Sequence, residues 1–418
     1  MREPVPMVEH ADVRVHEARN VILGSVQPLA GETALLSAAL GRVLMEDLVA
    51  DRSIPPRDNS AMDGFAVRAE DVARPPVELR VVEDLTAGRF TDRLVGRGEA
   101  IRIMTGAAIP DGADCVIKVE DTHGEGERVE ILQGGPPGQN IRPAGCDVRP
   151  ETSIARVGTV LRPAHLGMLA ALGRTVVHVG SRPRVAVLAT GDEIVEPDRL
   201  RDDGRIATSN SYSLQAAILQ AGADPVYLGI APDRPEEIAR RFREALRCDV
   251  VISIGGVSVG IHDHIKSVLA SLGGEMRLWR VRMRPGAPLA FVVLEGRPVF
   301  GLPGNPVSAL VSFEQFVRPT LLRMMGHRRI FRPVRVATLV DEYEKGAGRQ
   351  FFVRVTLEQK HGELLARLTG DQSSAVLLSL VRADGLAIVN EETTKLPAGS
   401  RVPVQLIHSD DLEEEPGF

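Results

Sequence analysis

Three short segments of the 418-residue chain put glycines, hydroxyls and carboxylates directly behind apolar runs. The first, D-V-V-I-S-I-G-G-V-S-V-G-I-H-D-H (249–264), halts at Gly255 and Gly256 and then offers Ser258 and, between two histidines, Asp263. The second, L-A-T-G-D-E-I-V-E-P (188–197), follows its run with Thr190, Gly191, Asp192 and Glu193. The third, F-G-L-P-G-N-P-V-S-A-L (300–310), carries Asn305 and Ser308 behind a Pro-Gly pair. Without a Cβ, glycine lets backbone N–H groups close on an anion. A helix starting just beyond adds unpaired donors and the positive end of its dipole. Adjacent carboxylates suit Mg2+, which takes one or two of them together with phosphate oxygens. The chemistry within reach is the gripping of a phosphorylated ligand through a divalent cation. Taken singly, each segment has a plainer reading: a turn with Asp263 starting a helix, a solvated turn at 190–193, and Asn305 capping a helix. His262 and His264 are not spaced to share a helix face, which speaks against a zinc site.

Other segments add groups of the same kind. R-M-R-P-G-A-P (282–288) brings Arg282 and Arg284 to a Pro-Gly turn, where an arginine can clamp an anion. P-R-D-N-S-A-M-D-G-F-A-V (56–67) reads as an unusual surface stretch exposing Met62 and Phe65 and carrying Asp58, Asn59 and Asp63. I-R-I-M-T-G-A-A-I-P-D-G-A-D (101–114) places Thr105 and Gly106 after a strand. Turns alone account for either. No nucleophile–base pair stands out and there is no Walker A sequence, so catalysis would rest on positioning, a metal and electrostatics.

The elements that must hold these groups alternate between 184 and 322. Strands are predicted at 184–190, 225–230, 249–254, 276–283, 289–294 and 298–301, with helices at about 211–221, 235–247, 263–272 and 306–322. Such alternation indicates a mostly parallel sheet covered on both faces, whose ligands bind beyond the carboxyl ends of the strands. Upstream, helical spacing is read at 8–26 and about 33–42, then short β runs at 77–82, 100–104, 115–119 and 128–132, then a helix and a strand within 162–179. Short strands return over 333–408, and the end, D-D-L-E-E-E, reads as a solvated tail.

Bulk properties narrow the function. The length predicts about two to four domains. Aromatics make up 4% and the net charge is −6, which argues against stacking platforms for single strands and against a basic footprint for duplexes. Five of the 50 basic residues are lysine, and arginine suits bidentate phosphate contacts. Three dispersed cysteines without a C-x-x-C support neither a disulfide framework nor a zinc knuckle. With no spanning apolar run and no signal-like start, the expectation is a cytoplasmic chain with no membrane and no nucleic-acid partner.

Taken together, D-N-S-A-M-D-G-F-A-V, I-R-I-M-T-G-A, N-I-R-P-A-G-C-D (140–147), T-G-D-E, G-G-V-S-V-G-x-x-D and G-L-P-G-N-P-V-S-A resemble the molybdopterin molybdenumtransferase family, of the bacterial MoeA type and the gephyrin E domain. The segments occur in family order along almost the whole chain. The resemblance implies an elongated helical and β linker domain (1–50 with 150–180), a β-rich domain (51–149), a three-layer α/β molybdopterin-binding domain (181–328) and a C-terminal β-barrel (329–410), followed by an acidic tail (411–418). It further implies a homodimer with each active site between one subunit's α/β domain and the other's β domain. The implied activity inserts molybdate into adenylylated molybdopterin, hydrolysing the adenylate with Mg2+ and releasing AMP and molybdenum cofactor. Contacts with the molybdopterin adenylyltransferase and with cofactor-accepting enzymes are implied too.

Carried over by position, Asp263 and Glu193 become cation ligands and, with Asp63, the catalytic acids. Asp63 and Thr105 reach the site from the partner subunit. Thr190, Gly255, Gly256, Ser258, Asn305 and Ser308 hold the nucleotide and pterin phosphates, Arg284 stands where the family usually has a lysine, and Arg349 and Ser374 line the cleft. The chain departs from the family pattern at Ile261 and Cys146, where acids are usual, at His264, where an aromatic is usual, and at Ala287, where a second lysine is usual. These changes thin the charge at the anion pocket and leave molybdate against tungstate open. Two alternatives stand beside this reading: a non-catalytic pterin carrier or scaffold, and a nucleotide-pyrophosphate hydrolase on the same α/β domain.

Overall fold

The computed structural model describes residues 12–124, 126–255, 264–408 and 414–418. Two compact units emerge: one of Met1–Thr33, Gly41–Met45 and His178–Phe418, the other of Ala34–Leu40 and Glu46–Val177.

The first unit is built on a six-stranded sheet in the order Asp224–Ala231, Arg184–Thr190, Val250–Ile254, Arg297–Leu302, Pro288–Leu294, Glu275–Arg280. The first four strands are parallel and the last two pair antiparallel. Side-chain alternation sorts the apolar residues into two cores. Val185, Val187, Val250 and Ile252 point to the face covered by Ser209–Gln220 and by the helices between Pro306 and Met324. Ala186, Leu188 and Val251 point to the face covered by Pro235–Ala245 and His264–Ser271. Being buried on both sides explains why these strands read as unbroken apolar runs. Phe291 and Phe300, on neighbouring strands with ring centroids 5.1 Å apart, anchor the first core; each fully buried ring contributes about 1.5–3 kcal/mol.

The helix expected over 306–322 is interrupted. Pro306–Ser312 and Arg318–Met324 are α-helical, and Phe313–Val317 between them is a π turn. Pro319 lacks an N–H and its ring would collide with the carbonyl of Gln315, so the ladder widens just before it.

Downstream in the same unit, Gln350–Lys360, Glu363–Leu368, Val334–Leu339, Arg401–Leu406 and Gly385–Val389 pair in that order, and Gly385–Val389 pairs back onto Gln350–Lys360. The result is a closed barrel around Val353, Val355, Ala387 and Val404. Met283–Arg284 adds to its rim, parallel to Gln350–Phe351. Of the acidic run D-D-L-E-E-E, residues 410–413 lie outside the described residues, and Glu414 and Glu415 are exposed. Phe418 packs edge-on to Phe352 at 6.0 Å and lies over the Arg19 guanidinium at 4.2 Å.

The second unit holds a six-stranded sheet in the order Cys115–Lys118, Gly64–Val67, Glu99–Ile103, Val77–Leu85, Arg128–Ile131, Thr122–His123, and a helix at Pro163–Ala171. The helix expected near 33–42 is instead a strand, Gly31–Leu35, and a 3-10 turn, Leu36–Ala38. The N–H of Leu36 is taken by the Thr175 carbonyl (3.0 Å), so a long-range bond overrides alanine and leucine propensity. No helix among the described residues is long and apolar enough to cross a membrane.

Candidate functional site

The four parallel strands of the first unit end in register. Thr190 pairs with Ala231, Ala189 with Ile254, and Ile254 with Leu302. The residues that follow each strand therefore share one edge: Asp192 and Glu193, Asp233, Gly255, and Gly304 with Asn305.

Gly255 adopts φ +86°, a left-handed conformation that only glycine enters cheaply. A Cβ there would lie 3.1 Å from the Thr190 carbonyl oxygen. Its N–H already donates to the Leu302 carbonyl (3.0 Å), so Gly255 supplies the turn and not the anion-binding donor expected from the sequence. Gly256, Ser258 and Asp263 lie outside the described residues, as does Ile261. The free donors sit one strand over. Gly304 and Asn305 are exposed, no partner among the described residues takes their N–H groups, and a Cβ on Gly304 would meet nothing within 4 Å.

On the acidic side, Glu193 is exposed and folds back over Gly191, where a Cβ would meet its Oε2 at 2.7 Å. No Lys or Arg among the described residues pairs with it. Asp192 accepts the N–H of Asp233 (3.2 Å). Burial first, then the like charges of Asp192 and Glu193, push the Asp233 carboxyl above its ordinary value. Hard carboxylate oxygens crowded together, with no Lys or Arg paired to them among the described residues, are a donor set that fits Mg2+, although no group of three or more His, Cys, Asp or Glu poised to hold a metal occurs among the described residues.

Asn305 does not cap its helix. Its Nδ2 donates to Ser374 Oγ (3.1 Å), and the Ser374 carbonyl accepts the N–H of Val307 (3.2 Å), so the glycine loop is tied to a barrel loop. That barrel loop is held from behind by Arg354, 1% exposed, which donates to the Ser373 carbonyl (3.1 Å) and Ser379 Oγ (3.2 Å). Burial pulls its pKa down. Arg284 lies 5.7 Å from the Phe351 ring, and Lys345 lies 4.8 Å from the same ring while donating to the Arg349 carbonyl (2.9 Å). Neither Arg284 nor Arg349 pairs with a carboxylate among the described residues, and two cations, Arg284 and Lys345, face one aromatic ring. Thr190 and Ser308 are buried, and the Thr190 hydroxyl is spent on the Ile254 carbonyl (3.3 Å).

In the second unit, three of the motif segments meet. Ile141 and Arg142 pair with Ser60 and Asn59, and Gly106 donates to the Ser60 carbonyl (2.9 Å). Asp63 Oδ1 accepts both the N–H (2.7 Å) and the hydroxyl (2.8 Å) of Thr105. These two bonds, the backbone one first, hold its carboxyl below the usual range, so it presents a fixed anion at the surface. Gly64 beside it is dictated by packing: a Cβ would sit 1.9 Å from the Ile117 carbonyl oxygen. Phe65 corrects the expectation of an exposed aromatic; its strand lies between two others and the ring is 6% exposed. A cavity of about 640 Å3 in this unit, beside Arg68, Leu94 and Pro136, contains none of these residues.

Sequence reasoning missed Asp233, Lys345 and Arg354. Asp233 follows a strand end like the others but has no glycine to mark it. Arg354 interrupts the run F-F-V-R-V-T, and a charge within a buried strand is a signal that could have found it.

Comparison with known proteins agrees with the geometry. Residues 13–173 match the MoeA N-terminal region (domain I and II), 186–323 a probable molybdopterin binding domain, and 336–407 the MoeA C-terminal region (domain IV). The chain is 38% identical over 400 residues to molybdopterin molybdenumtransferase 2 of Mycobacterium tuberculosis, covering 93% of this chain and 98% of that one. It is 36% identical over 404 residues to the molybdopterin molybdenumtransferase of a Nostoc species, covering 93% of each. The crystal structure of a molybdopterin biosynthesis MoeA protein from Pyrococcus horikoshii superposes with a TM-score of 0.79 at 32% identity, covering 96% of this chain and all of that one. On these grounds the chain belongs to the molybdopterin molybdenumtransferase family.

Proposed function

We propose that this chain inserts molybdate into adenylylated molybdopterin, with hydrolysis of the adenylate and release of AMP and molybdenum cofactor. The observation that carries the proposal is the shared edge of the parallel sheet, where the carboxylates of Asp192, Glu193 and Asp233, with no Lys or Arg paired to them among the described residues, and the amides of Gly304 and Asn305, which no described partner takes, lie on either side of the Val250–Ile254 strand end. An adenylylated pterin phosphate is a pyrophosphate, and cleaving it builds charge on the phosphoryl oxygens. Gly304 and Asn305 donate to those oxygens from a neutral backbone, which costs no reorganisation as charge develops. Arg284, Arg349 and Lys345 offset the charge of the phosphates and the oxyanion. When bound at Glu193, with Asp263 as its second ligand, Mg2+ supplies neutralisation of the leaving phosphate. Ser374, steadied by Arg354, keeps Asn305 in place.

Asp63 and Thr105 enter from the partner subunit of a homodimer in this reading, and the ionised, rigidly held Asp63 supports a polar role there. The working division of the chain is the one given above: 1–50 with 150–180, 51–149, 181–328, 329–410 and the 411–418 tail. Substrate is handed over by the adenylyltransferase and product by this chain to cofactor-accepting enzymes. The test is incubation with adenylylated molybdopterin and Mg2+, adding molybdate or tungstate in turn. Release of AMP that depends on molybdate supports the proposal. Dependence on tungstate alone reassigns the oxyanion, and release from simple nucleotide pyrophosphates without pterin refutes it.

A further inference from the structure

One polar run is not absorbed by the site as described. T-S-N-S (208–211) places Thr208, Asn210 and Ser211 in the protein interior. Asn210 is 7% exposed, its Nδ2 donates to the Gly304 carbonyl at 2.7 Å, and its Oδ1 is buried with no partner among the described residues. A buried, unmet acceptor is unfavourable. An apolar side chain of similar shape would avoid it, so packing does not account for an amide here; the bond to Gly304 does.

The same run is tied at its other end to the acidic turn. Ile206 donates to the Glu193 carbonyl (2.9 Å), Thr208 donates to the Val195 carbonyl (2.9 Å), and Ile206–Ala207 pairs in parallel with Ile194–Val195. Two residues later the helix Ser209–Gln220 begins and carries Asn210 to the glycine loop. Residues 206–210 therefore form a strut between Glu193 and Gly304. Gly304 itself is exposed with open space where a side chain would stand, so the loop is held at Gly304 through its carbonyl by Asn210 and one residue on, at Asn305, by Ser374.

We propose that Asn210 is a positioning residue that sets the spacing between the Glu193 carboxylate and the Gly304–Asn305 amides. The inference rests on the function proposed above for that edge. Asn210 touches no substrate in this account. Its loss leaves both binding groups present and spoils their mutual geometry, which lowers kcat more than it raises KM.

The experiment compares the full-length wild type with Asn210→Leu and Asn210→Asp by two readouts. The first is amide hydrogen exchange, followed by mass spectrometry, in peptides covering 302–308, with 184–190 as the internal reference. The second is kcat and KM for AMP release. Asn210→Leu removes the unmet acceptor along with the donor and is expected to unfold at the same or a higher temperature. Exchange over 302–308 should rise while 184–190 is unchanged, and kcat should fall roughly 10- to 100-fold with KM moving less than about threefold. Wild-type exchange and kinetics in both variants overturn the proposal. So does loss of cooperative unfolding in both, which would make Asn210 a folding residue. If the wild type releases no AMP, the proposed function fails, and the exchange data alone then decide whether Asn210 holds the loop.

Discussion

Replacing Gly255 by alanine tests the turn on which the strand edge depends. Two costs add. An L-residue at φ +86° gives up about 1–2 kcal/mol relative to glycine, and a methyl group 3.1 Å from the Thr190 carbonyl oxygen adds about 1 kcal/mol of overpacking. Thr190 has little room to yield, since it is buried and its hydroxyl is bonded to Ile254. Gly255→Ala should therefore destabilise the protein by about 2–3 kcal/mol. Gly304→Ala is the matched control: the same methyl group meets no atom within 4 Å, so the stability change should stay within about 0.5 kcal/mol. Its methyl projects into the space where an anion must approach, so KM for the adenylylated substrate should rise. Urea unfolding and steady-state AMP release measure the two effects. The reasoning fails if Gly255→Ala is as stable as the wild type, or if Gly304→Ala loses as much stability as Gly255→Ala.

Other expectations are more compact. Asp63→Asn and Glu193→Gln should each abolish AMP release, yet subunits of the two variants mixed and re-associated should recover about one quarter of full activity, because half of the dimers carry one intact site of two. No recovery would place both residues in the same subunit's site. Thr105→Val should raise the Asp63 carboxyl pKa part of the way, since it removes the hydroxyl bond that favours the charge and leaves the backbone N–H bond in place. That charge contributes stability above the unfolded carboxylate value, which is lost as pH falls through the depressed folded value; a carboxyl-carbon NMR titration reads the change. Asp233→Asn should behave oppositely. The folded carboxyl binds its proton more tightly than the unfolded one, so its penalty grows as pH rises above the unfolded value and is complete above the folded one. At neutral pH in EDTA the variant should melt no lower than the wild type, and Mg2+ should raise its melting temperature by less. Finally, iodoacetamide should label exposed Cys146 first. Cys115, buried and pushed up to about 11, and buried Cys248 should react only on unfolding, as peptide mass spectrometry would show.

The sheet was legible because strands buried on both faces leave unbroken apolar runs, and because glycines and acids mark where Val250–Ile254 and Arg184–Thr190 stop. The barrel was visible as a cluster of short strands, although its closure by Gly385–Val389 onto Gln350–Lys360 was not. Local signals failed where distant partners decide. Leu36 is claimed by Thr175, and Asn305 gives up its capping role to Ser374, 69 residues away. Asn210 acts on Gly304 across 94 residues, and nothing near it in the chain announces that. Gly255 shows the converse: the glycine was conspicuous, but which hydrogen bond its N–H makes depends on Leu302 in the neighbouring strand.

The central claim is that a divalent ion on Glu193 meets the substrate's pyrophosphate at the edge of the parallel sheet. Mn2+ can replace Mg2+ as a paramagnetic reporter, with 31P relaxation of bound AMP as the readout. Strong broadening with the wild type, lost in Glu193→Gln while AMP still binds, is the result expected. Equal broadening in both proteins, or AMP bound by the wild type without broadening, would contradict it.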